Sequence, residues 1–335
     1  MKKILRARYV GYTTETENHG DEALMWIIAQ LFAPEIEVVF EGDRYDLALL
    51  GGGTLINQSP WLIDHFGAIL KKAPLGGIVF GSGVGDRAFW GDYLSQWKGL
   101  LSDCDLAGVR GPQSLQLLQE AGVFHAEIIG DPYLALQSPL LSAPQSDLLG
   151  FNCGTTNNAL WGGNEQEYLD FLFALLDKYR ALGWKFLFLS VWSKDLPILR
   201  SLRDRLGGSE IPILDARAQS LETLARLSSC QVFVGEKLHA CAMAAVAEVP
   251  FIALEYQPKV RDFSESLQMD SYTVSTAERR PEQLMVLIDK VAKNREVIRV
   301  RLQHSLASNR QKIDLFNRRV KQHFHAKASG SEGDK

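Results

Sequence analysis

The chain has few cysteines, no long apolar run and no surplus of positive charge, and each shortage removes a class of protein. Cysteine occupies four of 335 positions, Cys104, Cys153, Cys230 and Cys241. Their spacing makes neither a zinc motif nor a disulfide framework, so buried free thiols in a reducing cytosol are expected. No cluster of His, Cys and carboxylates has metal-ligand spacing, which argues for metal-independent chemistry. No apolar run approaches the ~18 residues that cross a bilayer. Lys2 and Lys3 are followed by Arg6 and Arg8 rather than by the apolar core of a secretory signal. A cytoplasmic location is expected, with any membrane association peripheral. The formal net charge of -4 lacks the basic excess of a nucleic-acid binder.

What is present is an ordinary globular composition, 46% hydrophobic and 23% charged, on a chain too long for one core. Short apolar runs alternate with helical patterns. In the first half, strands are expected at Leu5–Tyr12, Ile36–Phe40, Asp46–Leu50, Gly77–Phe80 and Asp105–Val109, with a short one at Ile128–Ile129. Helices are expected at Asp21–Phe32, Trp61–Lys72, Tyr93–Leu101 and Pro112–Ala121. After a polar linker, Gln137 to Asp147, the second half repeats the logic. Its strands are Leu148–Asn152, Lys185–Val191, Ile213–Leu214, Gln231–Val234 and Phe251–Leu254. Its helices are Glu165–Ala181, Leu196–Leu206, Leu221–Leu227, His239–Ala247 and Val260–Leu267. Near-continuous apolar strands between helices predict parallel sheets covered on both faces. The expected architecture is α/β: two Rossmann-like doubly wound domains, residues 1–140 and 147–280, facing each other across a cleft. A helical region at 281–325 packs on both, and 326–335 is a disordered tail.

Loops at the expected strand ends carry the chemistry. Asn18-His19-Gly20-Asp21-Glu22 reads as a tight turn into a helix whose first turn bears two carboxylates, which a helix cap explains as well as a catalytic role does. Gly51-Gly52-Gly53-Thr54 and Gly81-Ser82-Gly83 let backbone N–H groups approach a ligand. Neither carries the Lys-Ser/Thr of a phosphate loop or the context of a dinucleotide fingerprint. Arg110, before Gly111-Pro112, either clamps an anion through its planar fork or forms a surface ion pair. Lys237 and His239 fall where a turn becomes a helix, a place that attracts anions, and an imidazole there suits proton transfer near neutrality. Lys259 and Arg261 follow the next strand.

Taken in order, these loops resemble the polysaccharide pyruvyl transferase family. The matches are Asn18-His19-Gly20-Asp21-Glu22-Ala23, Leu49-Leu50-Gly51-Gly52-Gly53-Thr54, Gly81-Ser82-Gly83, Val109-Arg110-Gly111-Pro112-Gln113-Ser114, Gly130-Asp131-Pro132, Lys237-Leu238-His239-Ala240 and Tyr256-Gln257-Pro258-Lys259. They cover about residues 10–265. The resemblance implies a GT-B-like fold and transfer of pyruvate from phosphoenolpyruvate to two hydroxyls of a sugar, with no further cofactor. It implies an acceptor sugar or oligosaccharide, free or lipid-linked, of a bacterial-type surface polysaccharide. The family often has Arg where Lys237 stands, and lysine lacks that planar fork.

On that resemblance, Arg110, Lys237, Lys259, Gly52, Gly53 and Ser82 are expected to hold phosphoenolpyruvate. His239 is the expected general acid, and Asp21 or Glu22 accepts hydroxyl protons. Asn18, His19, Glu255 and Asn152 are expected to orient groups or meet the acceptor. Two other classes fit the same sequence: a glycosyltransferase using a nucleotide-sugar, and a non-catalytic glycan- or anion-binding protein.

Overall fold

A computed structural model describes residues 3–13, 16–138, 142–217 and 220–332. The chain divides into two compact units. The first comprises Met1–Thr16, Gly20–Ala135 and Ser308–Lys335, and the second Glu17–His19 and Leu136–Ala307. The crossing from first to second therefore falls just ahead of the expected linker. The C-terminal helical region is not a body of its own, since its residues are shared between the units.

In the first unit the strands are β1 (Leu5–Val10), β2 (Ile36–Val39), β3 (Leu47–Leu50), β4 (Gly53–Ile56), β5 (Gly77–Val84), β6 (Cys104–Val109) and β7 (Ala126–Ile128). They pair in parallel in the order β2-β1-β3-β5-β6-β7, with β4 against β5. The residues of β3 and β5 are buried throughout, as befits strands with helices on both faces. The helices are α1 (His19–Phe32), α2 (Pro60–Lys72), α3 (Arg87–Trp90), α4 (Leu94–Ser102) and α5 (Pro112–Glu120). Proline opens α2 and α5, where its missing N–H has no intrahelical use.

The second unit holds β8 (Leu148–Asn152), β9 (Lys185–Ser190), β10 (Ile213–Asp215), β11 (Val232–Gly235), β12 (Phe251–Glu255) and β13 (Thr273–Ser275). These are parallel in the order β10-β9-β8-β11-β12-β13. Its helices are α6 (Glu165–Ala181), α7 (Leu196–Arg205), α8 (Ser220–Leu227), α9 (Leu238–Val246), α10 (Pro258–Ser266) and α11 (Pro281–Lys293). In α6 the Asn164 side chain accepts from the Glu167 N–H, with acids in the first turn and bases in the last. Both devices complement the helix dipole.

The last helix, α12 (Arg295–Glu332), gives Arg295–Ala307 to the second unit and the rest to the first. In the second unit Arg299 pairs with Glu248 at 3.0 Å. In the first, Ile313, Phe316, Val320 and Phe324 form a buried stripe at helical spacing. Lys327 reaches Asp105 at 2.7 Å. This corrects the expected disordered tail: 326–332 continue α12, and 333–335 lie outside the described residues.

Among the described residues, no helix is long and apolar enough to cross a membrane. All four cysteines are free and buried, as expected for structural thiols.

Candidate active site

Each sheet reverses its winding at one place, and the expected motifs flank both places. In the first unit the reversal lies between β1 and β3; in the second, between β8 and β11. Crevices at the carboxyl ends of such strands are where open α/β sheets bind ligands.

In the second unit the loops after β8, β11 and β12 are laced into one wall. Asn152, at the end of β8, is fully buried. Its side chain accepts from the Lys237 N–H at 2.9 Å and donates to Leu189 O at 2.9 Å. It therefore ties three strand ends together, a positioning task inside the unit. Lys237 is the N-cap of α9, with an extended backbone. Its side chain points inward and is only 8% exposed as a residue. The ammonium donates to Thr155 O at 2.6 Å, pairs with Glu236 at 2.9 Å and lies 4.7 Å from the Tyr256 ring centroid. A carbonyl, a carboxylate and a ring face surround the ammonium. The charge expected to meet the donor is thus neutralised within the unit. Burial alone lowers the Lys237 pKa, but Glu236, then Tyr256 and Asp195, raise it above the ordinary lysine value.

Sequence reasoning assigned no role to Asp195 or Glu236. Both are fully buried. Burial pushes the Asp195 carboxyl up to about 7, with Lys237 opposing and Glu236 adding to the rise. Burial likewise raises Glu236, opposed by Lys237 and by the Gly154 N–H. The adjacency Glu236-Lys237 is a usable sign of a buried pair; Asp195, within Ser193-Lys194-Asp195, reads like a residue of a solvated polar turn.

His239 is the second residue of α9 and half-buried. Lys259, near the start of α10 after the neighbouring strand, carries its ammonium 5.1 Å from the same Tyr256 ring. Among the described residues it makes no ion pair within 4.0 Å. Glu255, expected to orient groups or meet the acceptor, is paired with Arg261, whose Nε donates to it at 2.8 Å. The loop from Cys153 to Trp161 completes the wall: Gln257 donates to Ala159 O at 3.0 Å and Trp161 N–H to Tyr256 O at 2.9 Å.

Glu17–His19 also belong to this unit. Asn18 bridges to Trp192, and the His19 N–H donates to Val191 O at 2.8 Å. Burial lowers the His19 pKa to about 4, against the opposing pull of Asp215. Its imidazole is neutral at pH 7.

In the first unit the glycines make room for large side chains. A Cβ at Gly51 would lie 2.2 Å from the Tyr9 ring, and one at Gly83 would lie 2.3 Å from the Arg110 guanidinium. Arg110 is 1% exposed, so it is no surface ion pair; its NH1 donates to the Thr54 hydroxyl at 3.1 Å. Gly52 packs against Leu24 and Pro132, and Gly53, with a φ of +96°, starts β4. Ser82 is fully buried within β5, not in a loop, and donates to Gly51 O at 2.8 Å. Asp21 and Glu22 lie in the first turn of α1, and the Asp21 carboxylate accepts from the Thr16 hydroxyl at 2.9 Å. Among the described residues no group of His, Cys, Asp and Glu could hold a metal ion.

A family model described as Polysaccharide pyruvyl transferase matches residues 18–258. No curated protein sequence matches the chain. Among solved structures, a glycosyltransferase from Rickettsia africae is similar at 10% identity and a TM-score of 0.59, over 96% of this chain and 98% of that one. The S. aureus MnaA–UDP structure is similar at 10% identity and 0.56, over 90% and 91%. The glycotransferase of kitacinnamycin is similar at 12% identity and 0.55, over 96% and 100%. At such identities the likeness speaks for the fold, a GT-B-like α/β class, and for nothing finer.

Proposed function

The chain belongs to the polysaccharide pyruvyl transferase family, and on that premise we propose that it moves the pyruvate unit of phosphoenolpyruvate onto two hydroxyls of a sugar, forming a cyclic ketal and releasing phosphate. The observation that carries this reading is the placement of His239 in the first turn of α9 and of Lys259 in the first turn of α10, the helices that follow the paired strands β11 and β12. The first N–H groups of a helix, which have no intrahelical partner, and a lysine ammonium suit a substrate bearing a carboxylate and a phosphate.

In the proposed step His239, as imidazolium, gives a proton to the terminal carbon of the enol. One sugar hydroxyl adds at the neighbouring carbon and surrenders its proton to a base. The bond from that carbon to the phosphate oxygen breaks, phosphate leaves, and the second hydroxyl closes the ketal. Of the two hydroxyl protons lost, one balances that placed on carbon and one leaves with phosphate. Lys259 and the α9 N–H groups meet the donor's negative charge. Lys237 serves indirectly, by holding the Thr155 carbonyl and so the loop after β8. Arg110, in the first unit, is proposed as a donor-binding residue in its own right, because a guanidinium pairs with carboxylate or phosphate through two parallel hydrogen bonds. Ser82 and Asn152 act as supports within their units.

The test is incubation with phosphoenolpyruvate and a panel of sugars, free and lipid-linked, with release of phosphate and product mass followed together. Acceptor-dependent phosphate release with the mass gain of a pyruvate ketal is expected. Transfer of a sugar from a nucleotide-sugar, with no reaction of phosphoenolpyruvate on any acceptor, overturns the reading.

A further inference from the structure

The loop after β8 rests on a buried carboxyl that the reaction itself does not use. A Cβ added to Gly154 would lie 1.7 Å from Asp195 Oδ1. Gly154 does not have a left-handed backbone, and the three atoms nearest such a Cβ all belong to Asp195. Asp195 is fully buried at the N-cap of α7. Neither of its oxygens makes a direct hydrogen bond among the described residues. The Thr155 and Trp192 N–H groups and the Lys237 ammonium nevertheless lie close enough to favour its ionised form.

The residues that follow are gripped from other sides. Lys237 Nζ holds Thr155 O at 2.6 Å, and the Glu165 carboxylate accepts from the Thr156 hydroxyl at 2.7 Å and from the Thr156 N–H. A turn held on one side by an ammonium and on another by a carboxylate needs a fixed surface beneath it. Asp195 supplies that surface, in van der Waals contact with the one residue that has no side chain.

We propose that Asp195 is a positioning residue for the pyruvyl transfer: its carboxyl, packed under Gly154, sets the height of the Gly154–Thr156 turn and, through Thr155 O, the place of the Lys237 ammonium. The kinetic part of this rests on the function proposed above; the structural part stands without it. A close-packed contact of this kind responds to a single methyl group, because side chains of the interior lack room to give way.

The experiment approaches the contact from both sides in the full-length protein. Gly154→Ala drives a methyl into the carboxyl, Asp195→Ala empties the carboxyl's space, and the double variant removes the 1.7 Å overlap while keeping the 2.9 Å approach to the Cβ at 195. Hydrogen exchange of the 153–158 segment, measured without any substrate, is expected to quicken about tenfold in each single variant and to return toward wild type in the double. The phosphoenolpyruvate KM is expected to rise about tenfold in each single variant with kcat within about threefold, and to recover in the double. Unchanged exchange in Gly154→Ala, or a double variant no better than Gly154→Ala, overturns the proposal. A wild-type protein inert toward phosphoenolpyruvate counts against the proposed function instead, and the exchange result still decides the role of Asp195. Asp195→Asn, which keeps the volume, is expected to match wild type in exchange; a defect as large as that of Asp195→Ala overturns packing as the cause.

Discussion

The side-chain ammonium of Lys237 donates to the carbonyl oxygen of Thr155 at 2.6 Å, joining two loops that lie 82 residues apart in sequence. The same ammonium neutralises Glu236 at 2.9 Å. Lys237 is therefore an internal tie as much as a charge, and its removal has consequences for stability before it has any for catalysis.

Replacing Lys237 by Met strands the Glu236 carboxylate in the interior. Breaking a buried pair from one side costs about 3–5 kcal/mol. The second unit is expected to unfold at a distinctly lower urea concentration, read by fluorescence. An unfolding midpoint equal to wild type shows that the pair contributes nothing to the unit.

His239→Gln keeps the size and polarity of the side chain but cannot donate a proton as an imidazolium. Turnover is expected to fall about 10²–10⁴-fold, with the phosphoenolpyruvate KM changed far less. Initial rates of phosphate release check this, and near-normal turnover removes His239 from the role of acid.

Two groups of the second unit give pH dependences of opposite sign. The Asp195 pKa is raised from 3.8 to about 7. Its contribution to stability is present at low pH and is lost as pH rises from about 4 to about 7. The His19 pKa is lowered from 6.5 to about 4. Its contribution is present above about 6.5 and is lost as pH falls toward about 4. The two slopes oppose each other at acid pH, and only Asp195 acts near neutrality. Melting temperatures of wild type, Asp195→Asn and His19→Gln from pH 5 to pH 8 separate them. Asp195→Asn is expected to gain on wild type as pH rises, and His19→Gln to gain as pH falls.

In the first unit, Gly83→Ala places a methyl where the Arg110 guanidinium lies. Gly83→Ala and Arg110→Ala are expected to raise the phosphoenolpyruvate KM alike, and the double variant is expected to be no worse than either. Fully additive effects show that the glycine acts through something other than Arg110.

Much of the frame was legible along the chain. Leu148–Asn152 and Glu165–Ala181 form their expected elements to the residue, because an apolar run closed by one polar residue and a well-capped amphipathic helix carry strong local signals. β4 escaped notice, since Gly53-Thr54-Leu55-Ile56 looks like the tail of a glycine turn. β5 runs on through Gly81-Ser82-Gly83, where small residues suggested a loop. There Gly81, with a φ of +73°, packs against Pro132, and Gly83 makes room for Arg110.

The candidate site divides the same way. Lys237, His239 and Lys259 stand out as polar residues at the ends of apolar runs, which the one-dimensional pattern shows. Asp195 does not, because a buried acid and a surface acid are the same letter, and burial is a property of what packs around it.

The alternation of apolar runs and helical patterns thus determined two parallel α/β sheets and set the motif loops at the carboxyl ends of their strands. Only the tertiary structure decided which charges meet. Placing β8 beside β11 brings the Thr155 carbonyl within reach of Lys237, and β9 on the other side of β8 brings Asp195 near enough to act on its charge. In a buried setting an ammonium must be paired, so the nearest acceptors inside the unit claim it.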